Sequence, residues 1–262
     1  MRAQAYWEQG DCARFAYHDL ASSLCTAMIL IIKIFSVLGL ILISVPALAQ
    51  TTFSLSVETD HRYRGRSLSD GRPVVAIAAS HDIKDGIYTG VNALATLTGK
   101  DRAGPLTAQL YVGIARNLNK DVSVDVGISG YHYTKRSSLN QNAEYFEVYA
   151  GLTRGQVSGY LRYSPNHLGT GTPVVYLDVN ANAELAPEWT LVGHIGILTQ
   201  SVGGPPRLGG RRVRYDTRLG ITRTFGRFEV NSAVTFAGPN DEFFAGPWHG
   251  RSAFTLSATR HF

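Results

Sequence analysis

The feature that most constrains the fold is a two-residue alternation of apolar and polar side chains that recurs from residue 51 to residue 262. In segment 175–185, valine, leucine and alanine occupy the odd positions, whereas tyrosine and polar residues occupy the even ones. Segment 122–129 alternates in the same way. Because successive side chains of a β-strand point to opposite faces, each segment predicts a strand with one apolar and one polar face.

This alternation predicts about twelve strands of about 9–13 residues, the length that a tilted strand needs to cross a bilayer. Their predicted bounds are 52–64, 72–83, 86–97, 105–116, 121–133, 143–154, 156–164, 173–185, 188–199, 212–224, 226–237 and 251–262. Tight turns, such as Lys84-Asp85, alternate with long connections, such as 134–142 and 201–211. Short turns at one rim and long loops at the other are typical of bacterial transmembrane barrels and not of a soluble sandwich. The predicted fold class is all-β, a transmembrane antiparallel up-and-down β-barrel.

Aromatic side chains on the apolar face give an independent test of this register. They fall into two sets, one near each end of the strands. The set at the short turns is Phe53, Trp189, Phe228 and Phe262, and the set at the long loops is Tyr63, Phe146, Tyr163, Tyr215 and Phe236. Because aromatic girdles mark both membrane interfaces of outer-membrane barrels, we expect the apolar face to contact lipid.

The N-terminal part of the sequence has the form of an export signal. The apolar run Ile29–Val45 follows Met28 and leads into an Ala-Leu-Ala ending, which predicts a secretory signal peptide cleaved after Ala49. A single membrane anchor is the alternative, although the run lacks a basic stop-transfer flank. The predicted organisation is an extension upstream of the true start codon over residues 1–27, a signal peptide over 28–49 and an outer-membrane barrel over 50–262.

The chain ends in an aromatic residue, Phe262, preceded by apolar residues at alternate positions. This ending is similar to the signal read by the outer-membrane barrel assembly machinery, although Arg260 stands where an apolar or aromatic residue is commoner. We therefore expect outer-membrane lipid and the assembly machinery as partners, with Phe262 as the assembly signal.

Two short motifs occur in the first part of the predicted barrel. Residues 63–67 read Tyr-Arg-Gly-Arg-Ser and residues 86–90 read Gly-Ile-Tyr-Thr-Gly. In these motifs the chain resembles the TorF-type porin family of proteobacteria. The resemblance implies an outer-membrane barrel, but it names no transported solute and supplies no catalytic or binding residues.

The sequence predicts no enzyme, no cofactor and no metal site. Ser164, Asn166 and His167 are the residue types of a barrel phospholipase, yet they crowd at a strand-to-loop junction whose composition is that of a turn. The other histidines show no metal-ligand spacing. Cys12 and Cys25 both precede the cleavage point, so the mature chain is predicted to lack disulfides and thiol chemistry. The net charge of +5 includes no block of like charge, which gives no support for a nucleic-acid partner.

Charged residues of the polar parity give the most specific functional hint. Six arginines are predicted to face the lumen on the long-loop, extracellular side: Arg62, Arg64, Arg162, Arg214, Arg218 and Arg251. The predicted pore-lining acids are Asp125, Glu184 and Glu229 toward the periplasm, and Asp178 and Asp216 beside the arginines. Two interpretations remain open: a salt-bridged plug that holds the barrel together, or a narrow wet pore with an arginine-lined entrance.

The predicted function is passive diffusion of small polar solutes, with a preference for anions, across the outer membrane of a Gram-negative bacterium. A barrel of this size leaves a much narrower lumen than a porin of 16–18 strands. The alternatives are a plugged barrel with a structural or adhesive role and a lipid-modifying outer-membrane enzyme. The sequence leaves the solute, the oligomeric state and any regulation open.

Overall fold

The computed structural model describes residues 51–97, 103–200, 212–238 and 252–262. Twelve strands form a closed antiparallel barrel in which neighbours along the chain are hydrogen-bonded, and the first strand pairs with the last. The barrel strands are β1 (Thr51–Glu58), β4 (Val74–Asp82), β5 (Ile87–Thr96), β6 (Gly104–Asn117), β7 (Val122–Tyr133), β8 (Ala143–Arg154), β9 (Val157–Ser164), β10 (Val174–Ala186), β11 (Trp189–Gln200), β12 (Val213–Phe225), β13 (Phe228–Gly238) and β14 (Ser252–His261). The predicted all-β barrel is confirmed.

Two further short strands, β2 (Arg62–Tyr63) and β3 (Arg66–Ser67), pair only with each other. The prediction of one strand over 52–64 is therefore wrong in its second half, because β1 ends at Glu58. Extending β1 would turn His61 toward lipid, where a polar side chain is costly. Instead the chain leaves the barrel wall, and Arg64 and Gly65, with φ values of 48° and 74°, form the turn between β2 and β3.

The outward face of the barrel is apolar. Every one of the twelve barrel strands exposes large hydrophobic side chains, such as Leu110 on β6 and Phe254 on β14. The predicted girdle residues that lie exposed are Phe53, Phe146, Tyr163, Trp189, Tyr215, Phe236 and Phe262. An apolar surface that continues around a barrel fits a lipid environment, because soluble proteins rarely expose a large continuous apolar patch.

The tight turns at one rim use backbone conformations suited to hairpins. Between β4 and β5, Asp85 and Gly86 have φ values of 63° and 75°, and the Ile83 N–H donates to the Ile87 carbonyl at 2.7 Å. Two consecutive positive φ values match the right-handed twist of paired strands. In the described part of the chain, no helix is long and apolar enough to cross a membrane.

A small hydrophobic core lies inside the barrel, at the end where the long loops are. Leu68 of the β3–β4 connection, Leu139 of the β7–β8 loop and Leu168 of the β9–β10 loop are all buried there. They pack against Tyr133 and Tyr145 of the barrel wall. Three connections at the long-loop end therefore fold inward together and occupy this part of the lumen.

Candidate functional site

The interior of the barrel holds the predicted charged residues. Those on interior-facing strand positions are Asp125, Arg162, Asp178, Glu184, Arg214, Asp216, Arg218 and Glu229. Arg62 and Arg64 also lie inside, but on the inner hairpin, which we define as residues 59–71, rather than on the barrel wall. Arg251 lies outside the described residues.

The inner hairpin is fixed at its turn. Arg62 donates to Asp60 at 2.9 Å and to the Gly65 carbonyl at 2.7 Å, which closes the hairpin on itself. A Cβ atom added at Gly65 would lie 2.6 Å from Cβ of Ala237 and 2.7 Å from Cβ of Asp216. The turn therefore contacts the barrel wall at a point that accepts no side chain.

Arg64 anchors the hairpin to the opposite wall. Its Nη2 lies 2.6 Å from Oε1 and 2.8 Å from Oε2 of Glu147 on β8. The guanidinium also stacks over Tyr176 of β10, with 4.1 Å between its Cζ and the ring centroid. Glu147 is 1% exposed, so this pair is removed from water, and removing one partner would leave a buried charge uncompensated.

Tyr63 does not belong to the lipid-facing girdle in which the sequence pattern places it. Its hydroxyl accepts a hydrogen bond from Tyr145 at 2.9 Å inside the barrel, because the hairpin carries it away from the wall. Its ring also lies close to Tyr131, Tyr133 and His167. Burial raises the pKa of the Tyr63 phenol well above its usual value, which keeps the hydroxyl protonated.

His167 lies in the same buried group. Its Nδ1 is 3.7 Å from Oε1 of Glu147, and its ring contacts Tyr145 edge-on. Burial lowers the pKa of His167 to about 4, and the neighbouring Arg64 charge acts in the same direction, although Glu147 opposes both. His167 is therefore neutral at pH 7 while the inner hairpin is in place.

The predicted Ser164, Asn166 and His167 set does not form a nucleophile and its base. Ser164 is fully buried, and within the described residues neither Ser164 Oγ nor His167 Nδ1 has a hydrogen-bond partner. Both residues face the interior, whereas a lipid-modifying site of this type must reach the lipid surface. Nor do the described residues contain a group of His, Cys, Asp and Glu side chains able to hold a metal ion.

A polar cavity of about 680 Å³ lies beneath the inner hairpin. Asp60, Arg62 and Arg64 line one end, and Glu229 and Ser257 lie toward the rim of the short turns. Above the hairpin, a second space bordered by Arg66, Leu168, Leu198 and Tyr215 measures about 30 Å³, which holds about one or two water molecules. Within the described residues, the larger of these two spaces is on the short-turn side of the hairpin.

One wall of the cavity is a chain of hydrogen bonds centred on His194. Asn180 donates to Asp178 at 2.8 Å, which turns its carbonyl oxygen toward Nδ1 of His194 at 2.7 Å. Nε2 of His194 lies 2.8 Å from Asp216. Side-chain oxygens thus lie on both sides of the His194 ring and fix its orientation.

Arg162 and Asp125, two further predicted lumen residues, are also paired or hydrogen-bonded. Arg162 donates to Asp178 at 3.1 Å, so this predicted arginine is not a free charge. Asp125, on the far wall, accepts from the hydroxyl groups of Tyr88 at 2.6 Å and Tyr160 at 3.4 Å. Arg218 differs from them, since it donates to the neutral side-chain oxygen of Asn231.

The C-terminal residue closes the barrel on the short-turn side. The Phe262 N–H donates to the Phe53 carbonyl at 3.0 Å, which extends the pairing of β14 with β1. The guanidinium of Arg260 lies over the rings of Phe228 and Phe262, 5.6 Å and 4.7 Å from their centroids. An arginine that covers aromatic rings at the interface explains how a charged residue is accommodated in this ending.

The inner hairpin and its anchors do not follow from the predicted strand pattern. A signal is nevertheless present, because Asp60, His61 and Arg62 place polar or charged side chains at three successive positions and so break the alternation. Gly65 beside Arg64 is a second signal, since a glycine in a strand pattern often marks a turn or a close backbone approach.

Comparisons with known proteins identify relatives of the sequence and of the fold. Residues 47–249 match the sequence model of a family described as "Bacterial protein of unknown function (Gcw_chp)". A comparison with curated protein sequences gave no match.

The structure is similar to NanC porin, with a TM-score of 0.55 and 10% identity over 79% of this chain and 98% of that chain. It is also similar to KdgM porin, with a TM-score of 0.51 and 9% identity over 80% of this chain and 99% of that chain. KdgM porin has also been solved in complex with disordered oligogalacturonate. At such identities the likeness shows the fold alone.

Proposed function

The chain belongs to the Gcw_chp family of bacterial proteins, and we propose that it forms a narrow diffusion channel for small polar solutes in the outer membrane of a Gram-negative bacterium. The observation that carries this proposal is the combination of a continuous apolar outer face with a polar cavity of about 680 Å³ in the lumen. A structural barrel has no need of a polar interior cavity, whereas a channel for polar solutes requires one. The porin fold of NanC and KdgM supports the same proposal.

The route to the outer membrane is part of the proposal. We infer export through the signal peptide at 28–49, cleavage after Ala49, and insertion by the barrel assembly machinery. Sequencing the N-terminus of protein recovered from outer-membrane fractions tests the cleavage site. A mature chain that retains residues 28–49, or one found in the inner membrane, would contradict this route. Membership of the TorF-type porin family, which two sequence motifs indicate, stays a prediction.

A closed structural barrel is the second candidate, and one observation favours it. The inner hairpin occupies the lumen and is held by the Arg64–Glu147 pair and by Leu68 in the interior core. In a channel the hairpin acts as a constriction that solutes pass or displace, whereas in a structural barrel it stays in place. The absence of catalysis remains our prediction, with the interior position of Ser164 and His167 in its favour.

Single-channel recording in planar bilayers separates the two candidates. The full-length chain is expressed, the protein is extracted from the outer membrane, and the bilayer current is measured in symmetric KCl. We expect discrete conductance steps well below those of a porin of 16–18 strands, because the lumen is narrower and partly filled. A folded protein that inserts into the bilayer without conductance steps would favour the closed structural barrel.

A further inference from the structure

Arg218 occupies a distinctive position in the lumen. It is exposed on the wall of the 680 Å³ cavity, and its Nη2 donates to Oδ1 of Asn231. The Asn231 amide is itself oriented, because its Nδ2 donates to Thr222 Oγ1 at 2.8 Å and to the Ile221 carbonyl at 3.4 Å. The guanidinium is therefore held in a defined direction by a neutral partner, and much of it faces the cavity.

Arg218 differs from the other charged residues of the cavity in its partner. Five carboxylates line the cavity, and each lies within 4.0 Å of a basic side chain. These pairs are Glu58 with His61, Asp60 with Arg62, Asp178 with Arg162, Asp216 with His194 and Glu229 with His261. Among the described residues, Arg218 has no carboxylate within this distance. It is therefore the cavity cation best placed to accept a negative group from outside the protein.

The surroundings of Arg218 are those of a site for a hydroxylated molecule. Amide and hydroxyl side chains line the same cavity, and they can both donate and accept hydrogen bonds: Asn182, Thr222, Thr235, Thr255 and Ser257. The volume is in the range of sites that bind small molecules.

We propose that Arg218, oriented by Asn231, is the carboxylate-binding residue of a lumen site for small hydroxylated organic acids of the size of a sugar acid. This inference rests on the proposed channel function for the route by which the solute reaches the cavity. The carboxylate accepts two hydrogen bonds from the guanidinium fork, and the hydroxyl groups of the solute bond to the threonine, serine and asparagine side chains. A neutral sugar of the same size can form the hydrogen bonds of the hydroxyl groups, but it has no carboxylate to accept from Arg218.

Binding is tested on the intact protein in detergent, without reference to conductance. Isothermal titration calorimetry is performed with D-glucuronate and D-glucose, which share a ring and differ in the carboxylate. We expect glucuronate to bind roughly ten- to a hundredfold more tightly than glucose, because charge-assisted hydrogen bonds are the stronger class. Raising the salt concentration should weaken glucuronate binding and leave glucose binding unchanged.

Two variants assign the effect to Arg218. Arg218→Gln removes the charge, and Asn231→Asp keeps Arg218 but places a carboxylate against it, so both should reduce glucuronate affinity to the level of glucose. Arg223→Gln is the matched control, because Arg223 lies on the same strand as Arg218 but pairs with Glu188 at the rim of the short turns, outside the cavity. Heat-modifiable migration on gels shows that each variant is folded. Unchanged preference for glucuronate in folded Asn231→Asp or Arg218→Gln would overturn the proposal, as would equal affinity of the wild type for the two sugars.

The same set of proteins distinguishes failure of this site from failure of the channel. Arg218-dependent glucuronate binding by a protein without conductance would support the site and refute the channel function. The site would be refuted, and the channel function would stand, if the protein conducts ions, glucuronate neither blocks nor carries the current, and glucuronate does not bind in detergent.

Discussion

Arg64 and Glu147 join the inner hairpin to the barrel wall through two hydrogen bonds of 2.6 and 2.8 Å from one guanidinium nitrogen. The residues are 83 positions apart in the sequence, and both are shielded from water. A buried ion pair of this kind is sensitive to loss of one partner, because the remaining charge is left in a medium that solvates it poorly. The position of the hairpin in the lumen therefore depends strongly on this contact.

The first prediction is that Glu147→Gln loosens the hairpin and raises the conductance of the barrel. Losing one partner of a buried pair costs about 3–5 kcal/mol, because the remaining charge is left uncompensated. Planar-bilayer recording should show larger or more frequent openings than the wild type. Glu144→Gln is the control, because Glu144 lies on the same strand but is exposed and pairs with His132 outside the lumen. Equal conductance of all three proteins would show that the hairpin does not limit the pore.

The second prediction is that acidification releases the hairpin. The pKa of His167 is lowered to about 4 by burial while the hairpin is closed, and returns to about 6.5 once the site is hydrated. The open state then binds a proton that the closed state excludes, so closure is fully favoured above about pH 6.5 and is lost as the pH falls toward 4. The difference amounts to about 3 kcal/mol. Conductance should increase over this interval.

The variant His167→Gln tests whether the increase in conductance at acidic pH comes from His167 or from neighbouring groups. The variant lacks the proton acceptor, so any acid response that persists belongs to other groups of the cluster, of which Glu147 is the closest to His167. Arg64, Arg214 and the tyrosines around His167 keep their protonation state throughout this interval. An identical pH response in wild type and His167→Gln would rule out His167 as the sensor.

The third prediction concerns the hairpin turn at Gly65. Gly65→Ala combines a positive φ with a Cβ that would lie 2.6 Å from Ala237, so the turn must move away from the wall. Gly155→Ala is a matched control, since Gly155 has φ of 56° and nothing within 4 Å of an added Cβ. Both substitutions carry backbone strain of about 1 kcal/mol, but the crowding affects Gly65 alone. Trypsin should cleave the hairpin of Gly65→Ala much faster than that of Gly155→Ala. Equal cleavage would argue against a tight contact at this point.

The fourth prediction is that deletion of Phe262 impairs insertion more than export. The deletion removes the hydrogen bond from the Phe262 N–H to the Phe53 carbonyl, which closes the barrel at the rim of the short turns. It also removes the aromatic ring under Arg260. The truncated chain should therefore accumulate in the periplasm and be degraded. Cell fractionation with immunoblotting measures the distribution. Wild-type outer-membrane levels of the deletion variant would contradict the role of Phe262 as an assembly signal.

The barrel could be predicted because its signal is local and repeated. An alternation of side chains fixes which residues face outward, and it places the strands from 72–83 onward within two residues of their observed bounds. The inner hairpin could not be predicted in this way, because its contacts join residues that are far apart in the sequence. Arg64 pairs with Glu147, and Leu68 and Leu168 share one core, only in the closed barrel. Likewise, parity predicts that Arg162 and Arg218 face the lumen, but it does not reveal that one meets a carboxylate and the other an amide.

The fifth prediction tests the orientation of β10 in the membrane. Val179 lies near the middle of this strand and is exposed on the outward face, whereas Asn182 lines the interior cavity. Val179→Arg places a charge near the bilayer midplane and should lower the free energy of unfolding by about 2–4 kcal/mol. Asn182→Arg should have a much smaller effect, because its side chain enters a hydrated space. Asn182 is a better control than Asn180, whose amide holds His194. Urea titrations in lipid vesicles, followed by tryptophan fluorescence, give the two values. Similar unfolding free energies for both variants would show that the outward face of β10 is not in contact with lipid.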